Sequence, residues 1–363
     1  MASKGSAIVV GGSIGGLTAA IALARTGIRT TVLECRDSFE GRGGIGVDYR
    51  MLCEATGENP DETLAYIYGY RRSTSFNALY AWLADVGSRI EGLDMRLGVD
   101  VAKVYQDDEK VYATTDTEEY SADILIGADG YRSIVRAEVN PGHLLTDYAG
   151  FMTWRGWIAE SDLPQGTPLP SDDLVSFGYG RQMLVAFPLP GLNNRDMAKG
   201  LRTIGFAWHD PTRTKLLEDT GCVRDGKIMR GLEVDMFPAG LTEEMIAATN
   251  RMWPTPWRET IVQCFEQGIA FGTPIGNYLP ERMASGRVAL IGDAAHAVAP
   301  ATGQGYNSSV EDAIALRECT RDGVVGPNAL TAMANYDRLR LPEARALVTW
   351  SRQWSRTYAN DSY

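Results

Sequence analysis

Residues 7–34 read AIVVGGSIGGLTAAIALARTGIRTTVLE, and the succession of textures in them decides the fold. Ala7–Val10 is a short apolar, β-branched run ending in Gly11-Gly12, which predicts a buried parallel strand. Gly16–Arg25 carries good helix formers at helical apolar spacing, and Gly27 is placed to end that helix. Thr30–Glu34 is a second strand, so the stretch predicts a βαβ unit of about 30 residues. Its turn follows the dinucleotide pattern G-x-G-x-x-G, with Ser13 where the middle glycine is expected. Unpaired amides at a helix start, together with the helix dipole, favour an anion such as a pyrophosphate. Gly11 suits the tight turn, and Gly16 suits close helix–strand packing. Ser13 can offer its hydroxyl to a phosphate oxygen, and Ile14 follows it at the start of the helix. Glu34 lies 18 residues beyond Gly16, where an acid can accept hydrogen bonds from ribose hydroxyls. The loop alone does not separate NAD from FAD.

The bulk composition narrows the rest. The 363 residues suit two domains, or one domain with a large excursion, and 44% hydrophobic with 22% charged residues is ordinary for a folded chain. A net charge of −11 argues against nonspecific nucleic-acid binding, which needs a basic surface. The five cysteines form no CxxC pair, and the three histidines are dispersed, so no metal site is expected. An odd cysteine count, with neither a signal peptide nor a membrane-length apolar run, predicts a cytoplasmic protein that does not bind membranes.

Farther along, residues 41–46 form the glycine-rich stretch GRGGIG, and FNALYAWLADV is a helix candidate. Residues 111–126 alternate and then turn continuously apolar, as strands do. The middle is aromatic and β-rich: GFMTWRGWI, LVSFGYGRQMLVAFPLP and LRTIGFAWH predict a mostly antiparallel sheet with one buried face. A helical tail is expected from Ala329 onward.

Two later segments, ADILIGADGYRSIVR (Ala122–Arg136) and RVALIGDAAHAVAPATGQGYNSSVEDAIAL (Arg287–Leu316), complete a set of three motifs. Together the three resemble the single-component FAD-dependent aromatic hydroxylases, a family of flavoprotein monooxygenases. The resemblance implies an α/β fold: a Rossmann-like FAD-binding domain with an inserted, mostly antiparallel substrate sheet and C-terminal helices. The corresponding divisions are 1–147 and 278–325 for FAD, 148–277 for substrate and 326–363 for the helical end. It implies that Asp293 holds the ribityl chain and that Pro300 faces the flavin. Gly303 and Gly305 would admit the ring, and Asn307 would bond its edge. The helix after Gly305 would set its positive end toward the pyrimidine side of the flavin, where reduced flavin is negative. Asp129 belongs to a motif tied to FAD and NAD(P)H; alternatively, it locks a turn by ion pairing with Arg132 and Arg136. Arg42 falls where the family has a phosphate- or ring-contacting arginine. Phe76 stands where another flavin-contacting arginine is usual, and Arg72 is taken as its substitute. His296 is read as a loop-ordering residue, and Asp312 and Leu316 as structural.

YAGFMTWRGWI (Tyr148–Ile158) resembles the branch that includes 2,6-dihydroxypyridine hydroxylase. Substrate-pocket candidates by position are Asp48, Tyr49, Tyr179, Arg181, Gln182, Trp208 and His209. The implied activity is hydroxylation of an electron-rich aromatic or heteroaromatic compound with NADH or NADPH and O2, through a flavin hydroperoxide. No second nucleotide unit is present for the reductant, as in the family, and a homodimer is a further implication. The alternatives are flavin monooxygenation of a nonaromatic substrate, by epoxidation, ring expansion or antibiotic inactivation, and a flavin-binding redox sensor without turnover.

Overall fold

The computed structural model describes residues 4–38, 43–60, 64 and 73–360. Five short strands build a parallel sheet: β1 (Ser6–Val10), β2 (Arg29–Leu33), β5 (Leu93–Arg96), β9 (Ile124–Gly127) and β18 (Val288–Leu290). With the antiparallel edge strand β17 (Ala284–Ser285), the order is β17-β18-β9-β1-β2-β5. The centre is β1, pairing Val9 with Val32 of β2 and with Ile126 of β9. β1, β9 and β18 are buried on both faces, which is why they read as nearly unbroken apolar runs, whereas β2 and the edge strand β5 keep polar, partly exposed positions. On this sheet pack α1 (Ile14–Arg25), α9 (Gly305–Thr320) and the long α10 (Pro327–Asn360). Against α1 lie α2 (Tyr49–Thr56) and α3 (Phe76–Ser88), and two small sheets flank the core, β3 (Gly44–Gly46) with β4 (Ser73–Ser75) and the meander β6 (Lys103–Gln106), β7 (Val111–Thr114), β8 (Glu119–Ala122). Short helices α4 (Arg136–Val139) and α8 (Asp293–His296) follow β9 and β18.

The second sheet is antiparallel. Its strands are β10 (Asp147–Ala159), β11 (Val175–Tyr179), β12 (Gln182–Leu189), β13 (Thr203–Asp210), β14 (Val223–Arg224), β15 (Lys227–Ile228) and β16 (Phe271–Asn277). The order is β11-β12-β13-β10-β15-β14, with β16 also pairing β10. Period-two alternation sorts its residues onto two faces. Met152, Trp154, Ile158, Leu184, Ile204, Phe206 and Trp208 turn to a core shared with α6 (Leu241–Met252) and α7 (Trp257–Glu266). These two helices, and the short α5 (Thr214–Asp219), are absent from the pattern of strands expected for the middle of the chain. Their signal is present: Leu241, Met245, Ala248 and Thr249 are buried at helical spacing. The opposite face carries Thr153, Arg155 and Trp157 of β10, Val185 and Phe187 of β12, and Ala207 and His209 of β13, and it looks toward the parallel sheet's loops. Phe187 abuts Gly44, and Phe151 and Ile275 pack with Ala299.

All five cysteines are free. Among the described residues no helix is long and apolar enough to cross a membrane, and none of their His, Cys, Asp and Glu side chains cluster as a metal site.

Candidate active site

The motif loops all follow C-terminal ends of parallel strands, where open α/β sheets form crevices. Gly11 takes φ +101°, and a Cβ there would lie 2.4 Å from Ala128 O. The loop after β1 therefore touches the loop after β9. Gly16 is tighter: a Cβ would lie 1.9 Å from Gly11 O. Ser13 caps α1 in extended backbone but makes no side-chain cap bond, and no acidic residue stands in the first turn. The first amides of α1 and the Ser13 hydroxyl thus remain for an anion. Ile14 turns its side chain inward against Tyr306 and Val310, so only its backbone belongs to the loop. The Glu34 carboxylate reaches back to the turn and accepts from Gly12 N at 2.7 Å and Arg36 N at 3.0 Å.

The Asp129 carboxylate accepts from Ile134 N at 2.8 Å and Val135 N at 3.3 Å, and its other oxygen is buried without a partner. Burial is the largest influence on this carboxyl and outweighs those bonds to raise its pKa. The expected ion pair with Arg132 or Arg136 is not formed. Arg136 instead donates to four carbonyl oxygens, those of Tyr131, Leu144, Asp293 and Ala294, and to Thr146. Its guanidinium also covers the Tyr278 ring at 3.8 Å from the centroid. The four carbonyls are fixed by the fold and take up the guanidinium N–H groups that a pair with Asp129 would have used.

Asp293 opens α8 directly after β18, following Gly292, whose φ is +55°. Its side chain is accessible to water yet enclosed by protein, and desolvation raises its pKa against the lowering pull of His296, Arg136 and Arg155. Behind it, Asp312 accepts from Gly292 N at 2.9 Å, meets His296 Nε2 at 2.6 Å and pairs with Arg340 at 2.9 Å. His296 is buried, which lowers its pKa, but the Asp312 charge and hydrogen bond prevail and raise it. This buried network holds the Gly292–His296 turn and gives His296 and Asp312 ordering roles.

Pro300 begins a short 3-10 turn and is exposed; Gly303 closes it with φ +63°. Gly303 O lies 3.8 Å from where a Gly46 Cβ would stand, so this loop meets β3. Gly305 starts α9, which has neither a side-chain cap nor an acid in its first turn. Asn307 Oδ1 accepts from Asp48 N at 2.9 Å, tying that helix start to the loop before α2. Arg42 and Arg72 lie outside the described residues.

The substrate-pocket candidates separate by face and by commitment. Trp208 and Gln182 do not face the recess: both turn to the helix-covered side, where Gln182 accepts from the Trp208 indole and Trp208 packs edge-on against Trp253. Strand alternation places them there, and the pattern of aromatics alone did not reveal which face was covered. Asp48 caps α2, accepting from Arg50 N and Met51 N, so its carboxylate is spent locally. Tyr49 is half-buried beside it, with Arg50 over its ring. Tyr179 is exposed at the tip of the β11–β12 hairpin. Arg181 donates to Ala359 O and ties that hairpin to the end of α10. His209 alone of these faces the recess fully buried: its Nδ1 is 3.2 Å from Thr153 Oγ1, and burial, aided by the Arg155 charge, lowers its pKa to about 3. It is a neutral imidazole at any ordinary pH.

Arg155, inside the quoted YAGFMTWRGWI segment, was missed as a site residue. It faces the same recess, and Asp293 is the acid that acts on its charge. The signal was its place three residues from Met152, hence on the face opposite Met152 and Trp154, but that needs the strand register.

This arrangement brings together two helix starts without side-chain caps, the carboxylates of Glu34 and Asp293, and a sheet face whose Arg155, Trp157, Val185 and Ala207 are only partly buried. These residues fit FAD: Gly11 and Gly16 have no room for a side chain, so the turn stays open to a close-lying ligand, and one Asp129 oxygen lacks a partner. A family model for an FAD binding domain matches residues 272–351, and one for pyridine nucleotide-disulphide oxidoreductases matches residues 5–142. The chain is 27% identical to the FAD-dependent urate hydroxylase of Mycolicibacterium vanbaalenii, over 95% of this chain and 87% of that protein. It is 26% identical to the 2,6-dihydroxypyridine 3-monooxygenase of Paenarthrobacter nicotinovorans, over 85% of this chain and 81% of that one. The solved 2,6-dihydroxypyridine-3-hydroxylase from Arthrobacter nicotinovorans shares the fold, with TM-score 0.77, 22% identity and coverage of 99% and 94% of the two chains. HpxO of Klebsiella pneumoniae, solved with FAD and uric acid, superposes at TM-score 0.71 with 22% identity over 98% and 89%. The motif loops, their placement on the parallel sheet and these likenesses agree: the chain is similar over most of its length to the single-component FAD-dependent hydroxylases among the flavoprotein monooxygenases.

Proposed function

We propose that the protein hydroxylates an electron-rich aromatic or heteroaromatic compound, taking electrons from NADH or NADPH and one oxygen atom from O2. The observation that carries this reading is the sheet face that looks onto the recess beside Asp293. Val185, Phe187, Ala207, Trp157 and Phe271 make one part of it apolar, and Thr153, Arg155 and His209 are the polar groups set among them. Such a slot suits an aromatic ring and excludes water.

Bound FAD supplies the redox and oxygen-transfer chemistry. The protein's residues do the rest. The α1 amides and Ser13 hold the pyrophosphate, with Gly11 and Gly16 granting close approach. Glu34 binds ribose hydroxyls with the lone pairs left after Gly12 and Arg36. Asp293 accepts from the ribityl chain. Gly303, Gly305 and the open start of α9 receive the pyrimidine edge, and the helix field there favours its negative charge. Pro300 faces the ring, and Asn307 keeps the loop before α2 in place.

Asp293→Ala is expected to weaken FAD binding about 10- to 100-fold, the loss that follows removal of one charged hydrogen-bonding group. Flavin absorbance per protein after gel filtration measures it; full yellow occupancy would refute the assignment. The function itself is tested by NADH and NADPH consumption under air with phenols, hydroxybenzoates and hydroxypyridines, followed by product mass. Stimulated consumption with a product one oxygen atom heavier is the expected result. An absence of stimulation by every aromatic would overturn the reading.

A further inference from the structure

Arg155 occupies the middle strand of the substrate sheet, between Ala207 on β13 and Phe271 on β16. Its neighbours on that face are otherwise Thr153, Trp157 and, one strand farther, Val185. A guanidinium in such surroundings is costly unless it is paired. The other enclosed arginines are paired. Arg202 is held by Glu160 and Asp172, Arg340 by Asp312, Glu311 and Glu343, and Arg136 by its carbonyls. Arg155 makes no hydrogen bond or ion pair among the described residues, and its Nε is shut off from solvent without an acceptor.

The charges around it leave the guanidinium uncompensated. Asp293 acts on it only at a distance, without a hydrogen bond, and belongs to the ribityl chain under the function proposed above. His209, in the next row with Thr153, is neutral and adds no counter-charge. Reduced flavin is met by the start of α9. The remaining partner for Arg155 is the molecule that enters between the sheet and the flavin.

We infer that Arg155 is the anion anchor of the substrate pocket and selects an aromatic compound bearing a negative charge, as a ring carboxylate or an ionised ring oxygen. This rests on the hydroxylase reading. A planar guanidinium can meet a carboxylate with two parallel bonds, or a single ring oxygen with one, while the flat apolar neighbours take the ring.

The test uses the FAD-loaded protein and the change in flavin absorbance on titration. The probes are 3-hydroxybenzoate for the carboxylate, 2,6-dihydroxypyridine for the ring oxygen, and neutral 3-hydroxybenzamide. Arg155→Met is expected to raise Kd for the anionic probe about 10- to 100-fold, leaving the benzamide and the FAD content unchanged. Arg155→Lys is expected to recover part of the affinity; it also serves as the variant if Arg155→Met does not fold. Whichever anionic probe responds more identifies the source of the charge. Equal losses for all three probes, loss of FAD, or unchanged anion affinity would overturn the anchor. If wild-type turnover responds only to neutral aromatics, the anchor falls and the hydroxylase reading stands. If no aromatic compound binds or stimulates turnover, the hydroxylase reading falls and the anchor with it.

Discussion

The Gly16→Ala variant is expected to purify without flavin. Its new methyl would sit 1.9 Å from Gly11 O and 3.2 Å from the Ala128 Cβ, and the first of these is backbone that cannot rotate away. Relief requires α1 to back off from β1, which costs about 1–3 kcal/mol of overpacking. The larger loss is functional. The amides at the start of α1 bind an anion only when they point at it together, so a shift near 1 Å is expected to weaken FAD binding on the order of 100-fold. Gly15→Ala is the control: its Cβ meets only Ser309, at 3.5 Å, and the protein is expected to stay yellow. Flavin absorbance and a fluorescence titration of the apoprotein with FAD measure both. A Gly16→Ala protein that binds FAD like the parent would show that the helix start does not hold the pyrophosphate.

That glycine was legible from its spacing, because a strand, a turn and a helix at adjacent positions leave one arrangement for the backbone. The same spacing argument locates Glu34 at the end of β2 and the Asp293–Asn307 run after β18, in loops next to their own strands. Legibility stops where two distant strands must be placed side by side. Trp208 and His209 are neighbours in sequence, yet one faces a helical core and the other the recess. Only the pairing of β13 with β10 and the cover provided by α6 and α7 decide between them. Arg155 escaped for the same reason. Asp48 and Arg181 are pocket candidates by position only, and position in the chain does not show what a side chain bonds to. Their carboxylate and guanidinium serve a helix cap and a helix end instead.

Arg136→Met is expected to be the most destabilising single change outside the parallel core. The side chain is fully buried and satisfies carbonyls on both sides of a junction: Tyr131 and Leu144 from one segment, Asp293 and Ala294 from the other. Burial lowers its pKa to about 10, still well above neutrality, so the cation persists. Methionine fills the volume but leaves buried acceptors bare, at about 1–3 kcal/mol for each one that finds no water. A loss of about 3–5 kcal/mol is expected, since partial relaxation will recover some acceptors. Urea unfolding of the apoprotein measures it. Arg136→Lys is expected to recover less than half, because an ammonium has three donors and no planar fork. FAD affinity falls in parallel, as the Asp293 carbonyl is one of the atoms released. A midpoint within error of the parent would remove the junction role.

The pairing of β18 with β9 sets a timetable for synthesis. Ile126 waits for Ala289, and Gly127 for Leu290, across a separation longer than the whole antiparallel sheet. At ribosomal rates of roughly 5–20 residues per second, β9 emerges roughly 10–30 s before the strand that covers its free edge. During that interval the nascent chain exposes an apolar strand edge open to pairing with any other chain. FAD cannot close the gap early, because Asp293 and the start of α9 emerge after β18. The exposed period of the β9 edge therefore falls during translation.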